Sequence, residues 1–294
     1  MKNIILFALI ILLPIMSGNA QTARGTVKEG LTVKSKILSK DVRYTVYLPY
    51  DYNTSDRLYP VVYLLHGYTD NDIAWIQFGE ANRIADEGIA AGDFPPMIIV
   101  MPDAGVSWYM NNFDNSVRYE DFFIEEFIPQ IESLYRIRKD RQFRAVSGLS
   151  MGGYGSILYS FKHPDLFSSV AAFSAAIYTE EEVLTTPDDR WEAMSAILYG
   201  KGLKGEARLT DHLKKNNPLI FTKELSFDKL KWLRIYVDCG DDDFLYKGND
   251  AFHTLLRDLK IPHEYRVRNG THSWEYWRTG LPEALKFIGQ GFKR

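Results

Sequence analysis

Arg144-Ala145-Val146-Ser147-Gly148-Leu149-Ser150-Met151-Gly152-Gly153-Tyr154-Gly155 decides how this chain is read. A short apolar run ends in small residues, turns through Gly148 and Gly152, and continues as a helical pattern through Ile157, Leu158 and Phe161. The spacing predicts strand, tight turn, helix. In that context Gly-x-Ser-x-Gly places its serine on a sharp bend, with the hydroxyl lifted above a sheet edge. Glycine on both flanks removes the Cβ atoms that such a bend would crowd. The bland reading is a glycine-rich connection with a surface serine, so the assignment of Ser150 as a nucleophile needs partners elsewhere in the chain.

Outward from this stretch, apolar runs alternate with helical patterns. Residues 31–50 alternate with period two and break at Ser39-Lys40-Asp41, which predicts an antiparallel hairpin. The runs 59–67 and 96–102 are continuously apolar, as expected of strands buried on both faces. Further strands are expected at 143–147, 167–173, 233–239 and 263–267. Helices are expected near 82–87 with Gly88 as the stop, and over 119–137 with a kink at Pro129. Two more are expected over 249–259 and 281–287. This alternation predicts the α/β class, a mostly parallel central sheet with helices on both faces. Residues 177 to about 228 interrupt the alternation and read as a cap-like insertion over the sheet. The domain is expected to span 31–294, preceded by a loosely ordered polar segment, 21–30.

The chain has 294 residues, 46% of them hydrophobic, enough for one sizeable core. A net charge of -3 and the lack of any basic run argue against a nucleic-acid partner. Met1-Lys2-Asn3, an apolar run from Ile4 to Met16 and small residues up to Ala20 read as a secretory signal peptide, residues 1–20. The apolar run is shorter than the roughly 20 residues a bilayer span needs. The expected location is therefore exported, secreted or periplasmic, with no membrane span after cleavage. Cys239 is the single cysteine, so an internal disulfide is impossible and the thiol is expected to be buried.

A serine hydroxyl needs a base within hydrogen-bond reach and a third group to orient that base. In an α/β sheet carrying such an elbow the chain order is nucleophile, acid, histidine. Of six histidines, only His272 follows the last expected strand in a glycine-bearing loop, Asn269-Gly270-Thr271-His272-Ser273-Trp274. The acid is expected after the strand 233–239, in Gly240-Asp241-Asp242-Asp243. Asp243 is the first choice and Asp241 the alternative; an acidic turn with no such role is the bland reading. Two backbone N–H groups should face the developing oxyanion. Met151, directly after the serine, and Tyr68, in the His66-Gly67-Tyr68 loop after the strand 59–67, are the candidates.

Taken in order, Leu64-Leu65-His66-Gly67-Tyr68 with Trp75, Ile98-Ile99-Val100-Met101-Pro102, Gly148-Leu149-Ser150-Met151-Gly152-Gly153, Cys239-Gly240-Asp241-Asp242-Asp243 and Gly270-Thr271-His272 resemble the esterase D-like branch of α/β-hydrolases. That branch includes feruloyl esterases, acetyl xylan esterases, S-formylglutathione hydrolases and mycolyltransferases. The resemblance implies an α/β-hydrolase fold, Ser150, Asp243 and His272 as a triad, and Tyr68 and Met151 as oxyanion donors. It also implies a serine carboxylesterase acting on acetyl or feruloyl groups of plant-type carbohydrates, with no metal and no organic cofactor. An acyltransferase using the same triad and a non-catalytic glycan-binding protein are the rival readings. Trp108, Asn111 and Asn112, after the strand 96–102, and Trp274 and Trp277, after His272, are the candidate substrate-binding residues; Tyr109 lies in the same loop as the first three.

Overall fold

In a computed structural model that describes residues 23–292, eight strands form one sheet. They are β1 (Thr26–Ser35), β2 (Lys40–Leu48), β3 (Val61–Leu65), β4 (Ile98–Pro102), β5 (Arg144–Leu149), β6 (Ser169–Phe173), β7 (Arg234–Gly240) and β8 (Glu264–Arg268). Their order across the sheet is β1-β2-β4-β3-β5-β6-β7-β8. The hairpin β1–β2 is antiparallel and joins β4 antiparallel; the remaining pairings are all parallel. The expected signal peptide, residues 1–20, lies outside the described residues. Among the described residues no helix is long and apolar enough to cross a membrane.

Strands β3, β4, β5 and β6 are buried along their whole length. Their apolar residues face two helical layers, as a central parallel sheet requires. On one face Tyr63, Phe123, Phe127 and Tyr159 form a core; on the other Trp75, Phe173, Trp277 and Leu281 form a second. The edge strand β8 carries Glu264, Arg266 and Arg268, charges that discourage further pairing.

Several boundaries differ from the sequence expectation for identifiable reasons. Residues 26–30, expected to be loosely ordered, belong to β1, because the hairpin ladder continues past a bulge at Lys28/Leu31. Gly88 does not stop its helix, which runs Ala81–Ala90. It is small because the Phe94 ring lies on it: a Cβ there would sit 2.3 Å from that ring. At Pro129 the α-helical pattern is interrupted, by a π-helical stretch, Phe122–Phe127, that ends just before it. The proline itself falls in the first turn of Ile128–Leu134, where a missing N–H is tolerated. The last helix begins at Trp274 rather than Leu281 and carries Pro282 in its interior.

The segment between β6 and β7 folds as short helices, including Glu180–Thr185, Asp188–Met194 and Asp211–Asn216. Such helices are too short to be stable alone. Arg208, almost fully buried, ties the first two together. Its guanidinium donates to the Val183 carbonyl at 3.1 Å and to Asp188 Oδ1 at 2.7 Å, and lies over the Trp191 ring. Tyr154 on the elbow helix Met151–Lys162 donates its hydroxyl to Asn216 O at 2.8 Å, docking the insertion onto the sheet's upper edge.

Candidate active site

Ser150 sits between β5 and the elbow helix with φ 54° and ψ -116°, a conformation non-glycine residues rarely adopt. Three backbone hydrogen bonds hold it there. Its N–H donates to Phe173 O at 2.9 Å, and its carbonyl accepts from Tyr154 N–H and Ala176 N–H, both at 3.0 Å. The bend also requires Gly152: a Cβ there would lie 2.5 Å from Leu65 O and 2.6 Å from His66 O. The elbow is thus pressed against the end of β3, which is where the His66-Gly67-Tyr68 loop starts.

The loops after β5, β7 and β8 bring three side chains into one chain of hydrogen bonds. His272 Nε2 lies 2.9 Å from Ser150 Oγ, and His272 Nδ1 lies 2.9 Å from Asp243 Oδ2. With Nδ1 donating to the carboxylate, Nε2 is left as the acceptor facing the serine. Asp243 is completely enclosed. Burial works against its charged form, but hydrogen bonds from His272, Leu245 N–H and Ser174 outweigh it and hold the carboxyl below the usual range. The imidazole packs against Phe244, 4.6 Å between ring centres, and edge-on to Trp277 at 4.8 Å.

Asp241, the alternative acid, is placed elsewhere: its Oδ1 accepts the Gly270 N–H at 2.8 Å and anchors the histidine loop. Asp238 is buried within β7, where Arg268 Nε donates to it at 2.9 Å. The other histidines are engaged in structural contacts. His66 Nδ1 is 2.7 Å from Gly67 O, and its Nε2 accepts the Ala104 N–H at 2.9 Å. His163 caps the elbow helix, His212 Nε2 meets Asn111 O, and His253 pairs with His263. Cys239 is buried and free.

Met151 opens the elbow helix, so its N–H has no partner within that helix. Tyr68 follows Gly67, whose bare Cα lets the loop lie against the elbow: a Cβ on Gly67 would be 2.7 Å from Leu149 Cδ1 and 3.7 Å from Ser150 Cβ. No loop carbonyl or side chain among the described residues takes the N–H of Tyr68 or Met151. Tyr68 borders the groove that holds Ser150, and Met151 directly follows the serine.

A cavity of about 380 Å³ surrounds Ser150 and His272. Trp108, Trp274 and Trp277 line it. Asn111 and Asn112 do not. Asn111 exchanges hydrogen bonds with Asp121, at 2.8 Å from its Nδ2 and 3.2 Å to its Oδ1, and Asn112 Nδ2 donates to Ser116 Oγ at 3.1 Å. Both shape their own loop, a role that the polar run Asp114-Asn115-Ser116 beside them signals. Tyr109 is buried below the cavity and props the His66 loop, its hydroxyl donating to His66 O at 3.0 Å. The sequence reading missed Tyr178, Arg190, Met194 and Phe244 as lining residues. It also missed Ser174, whose Oγ accepts the Trp277 Nε1–H at 3.0 Å behind Asp243. Only Phe244, adjoining the aspartate run, carried a usable signal. Among the described residues no three His, Cys, Asp or Glu side chains cluster as a metal site.

A strained serine at the carboxyl edge of a parallel sheet, hydrogen-bonded to an imidazole that meets a buried carboxylate, defines a serine hydrolase of the α/β-hydrolase fold. The chain belongs to the Esterase family, whose model matches residues 35–288, and is a carboxylic ester hydrolase. A solved ferulic acid esterase is 36% identical, with a TM-score of 0.79 over 92% of this chain and 99% of the other. An acetyl esterase from Caldicellulosiruptor saccharolyticus is 25% identical over 263 residues, 87% of this chain and 96% of that protein. An esterase from Mycobacterium tuberculosis is 30% identical over 247 residues, 77% of this chain; the match spans about half, 51%, of that longer protein.

Proposed function

We propose that this chain is an exported serine esterase that releases acetyl or feruloyl groups from plant-type carbohydrates through an acyl-enzyme. The observation that carries the chemistry is the relay of Ser150 Oγ, His272 and Asp243, with both links at 2.9 Å. Ser150 Oγ attacks the ester carbonyl while His272 Nε2 takes its proton. The C–O bond to the alcohol breaks as His272 returns that proton to the leaving oxygen. Water, deprotonated by His272, then attacks the acyl-enzyme; the acid leaves and Ser150 regains its proton. Asp243 holds the Nδ1–H tautomer and stabilises the imidazolium formed in each half. The N–H groups of Tyr68 and Met151 receive the oxyanion, and losing one such donor costs about 3 kcal/mol of transition-state stabilisation.

The substrate assignment is supported by likeness to a ferulic acid esterase and an acetyl esterase and by the aromatic lining of the cavity. Export is supported by residues 1–20 as a sequence pattern alone. The experiment is labelling with a fluorophosphonate, followed by hydrolysis of acetyl, butyryl and feruloyl esters. Labelling and turnover are expected in the native chain, and neither in Ser150→Ala. Labelling that persists in Ser150→Ala would remove the nucleophile assignment.

A further inference from the structure

A second cavity, of about 350 Å³, lies under the insertion and adjoins the one around Ser150. Trp108, Ala176, Tyr178, Arg190, Met194 and Phe244 border both, so the two spaces meet at this seam. An acetyl group would leave such a volume unused. The space suits a longer arm of the substrate, and the chemistry of the seam indicates what that arm carries.

Arg190 is the one lysine or arginine among the described residues that lines either cavity. It is an exposed residue of the helix Asp188–Met194, and its guanidinium has no hydrogen-bond or ion-pair partner among the described residues. The neighbouring carboxylate that could have neutralised it, Asp188, is instead taken by Lys204 at 2.8 Å and Arg208 at 2.7 Å. Glu182, on the wall of the second cavity, is held by Thr179 N–H at 2.8 Å and Thr179 Oγ1 at 2.9 Å. Tyr178 stands near enough that the Arg190 charge opposes the rise burial imposes on its phenol. The carboxylate lining the catalytic cavity, Asp70, belongs to the Gly67 loop. The charges lining the combined space are therefore Asp70 beside the oxyanion loop, Glu182 on the wall of the second cavity and Arg190, the one cation, at the seam.

We propose that Arg190 selects esters bearing a carboxylate remote from the scissile bond, seating that carboxylate at the seam between the two cavities. This rests on the ester hydrolysis proposed above. A guanidinium offers a carboxylate two parallel N–H donors. Asp70 opposes the reverse orientation, in which the carboxylate would lie beside the oxyanion. The carboxylate can belong to the acyl arm, as in a hemiester, or to the alcohol, as in an acidic sugar; the recognition is the same.

Steady-state kinetics on two matched pairs test this. The 4-nitrophenyl monoester of adipic acid against 4-nitrophenyl hexanoate probes the acyl arm, and 4-acetoxybenzoate against its methyl ester probes the alcohol. In at least one pair the native enzyme should favour the anionic member in kcat/KM, with the preference shrinking as salt is raised. Arg190→Gln should raise KM for that member about tenfold or more while kcat and the neutral ester are little changed. Arg190→Lys should restore part of the loss. The pair that responds identifies the arm. Hydrolysis with no anionic preference in either pair, or an Arg190→Gln loss equal on neutral and anionic esters, overturns the assignment of Arg190 and leaves ester hydrolysis standing. Failure of the native chain to hydrolyse any of the four esters, with no fluorophosphonate labelling, overturns both.

Discussion

Asp241 and Asp243, two residues apart on one turn, hold the same loop at two points. Asp243 Oδ2 meets the His272 imidazole at 2.9 Å, and Asp241 Oδ1 accepts the Gly270 N–H at 2.8 Å. One orients the side chain that exchanges protons; the other orients the backbone that carries it. The division follows from burial, since Asp243 is enclosed while Asp241 is exposed.

The two substitutions to asparagine should therefore diverge. Asp243→Asn replaces an acceptor with an amide that favours the wrong imidazole tautomer, and kcat should fall by about 10³–10⁴. Asp241→Asn keeps an oxygen for Gly270 and should stay within about tenfold of the native rate. Ester hydrolysis by the two purified variants checks this; a larger loss in Asp241→Asn would reverse the roles.

Ser174 is a positioning residue. Its Oγ accepts from Trp277 Nε1 at 3.0 Å and contributes a hydrogen bond to Asp243. Ser174→Ala leaves the Trp277 N–H without its acceptor and removes one of the bonds that keep the Asp243 carboxyl low. We expect kcat to fall about tenfold with KM for a neutral ester unchanged. The kcat–pH profile separates positioning from mere destabilisation: its acid limb should move to higher pH.

His66 gives the fold a pH dependence. Burial pushes it below its ordinary value of 6.5, against upward pulls from the Gly67 carbonyl, Asp103 and Asp72. The unfolded chain then binds a proton that the folded chain refuses, so stability is present above about 6.5 and falls as pH drops from there toward the folded value. His212 and His263 are lowered by burial as well and add with the same sign. The melting temperature should drop between pH 7.5 and 5.5, and His66→Gln should flatten part of that slope. A melting temperature that rises over this interval contradicts the assignment.

Arg208 should be the weak point of the insertion. Arg208→Met leaves the buried Val183 carbonyl without its donor and should cost about 1–3 kcal/mol locally; Asp188 is half exposed and keeps Lys204. Hydrogen exchange is expected to rise across residues 180–216 while β3–β6 stay protected. Uniform exchange across the sheet would show that the insertion does not open separately.

Much of the site was readable without coordinates. The elbow announces itself because a sharp strand-to-helix bend tolerates almost nothing but glycine around Ser150, and that requirement is local. His272 and the aspartate turn were found by chain order, since a parallel sheet presents its strand ends, and the loops after them, on one edge. Boundaries were harder. Gly88 carries a strong local preference as a helix stop, yet its helix runs on past it, and its smallness serves the Phe94 ring instead.

Residue types and their spacing by themselves determined the alternating strands and helices, the position of Ser150 and the candidacy of His272. These follow from backbone sterics and periodic burial, which act over a few residues. Tertiary structure alone decided that Asp243 rather than Asp241 meets the imidazole, and that Asn111 and Asn112 serve their own loop. It alone placed Ser174 behind the carboxylate and Arg190 at a seam between two cavities. Those outcomes depend on the direction of single side chains and on contacts between segments far apart in the chain, and a linear pattern encodes neither.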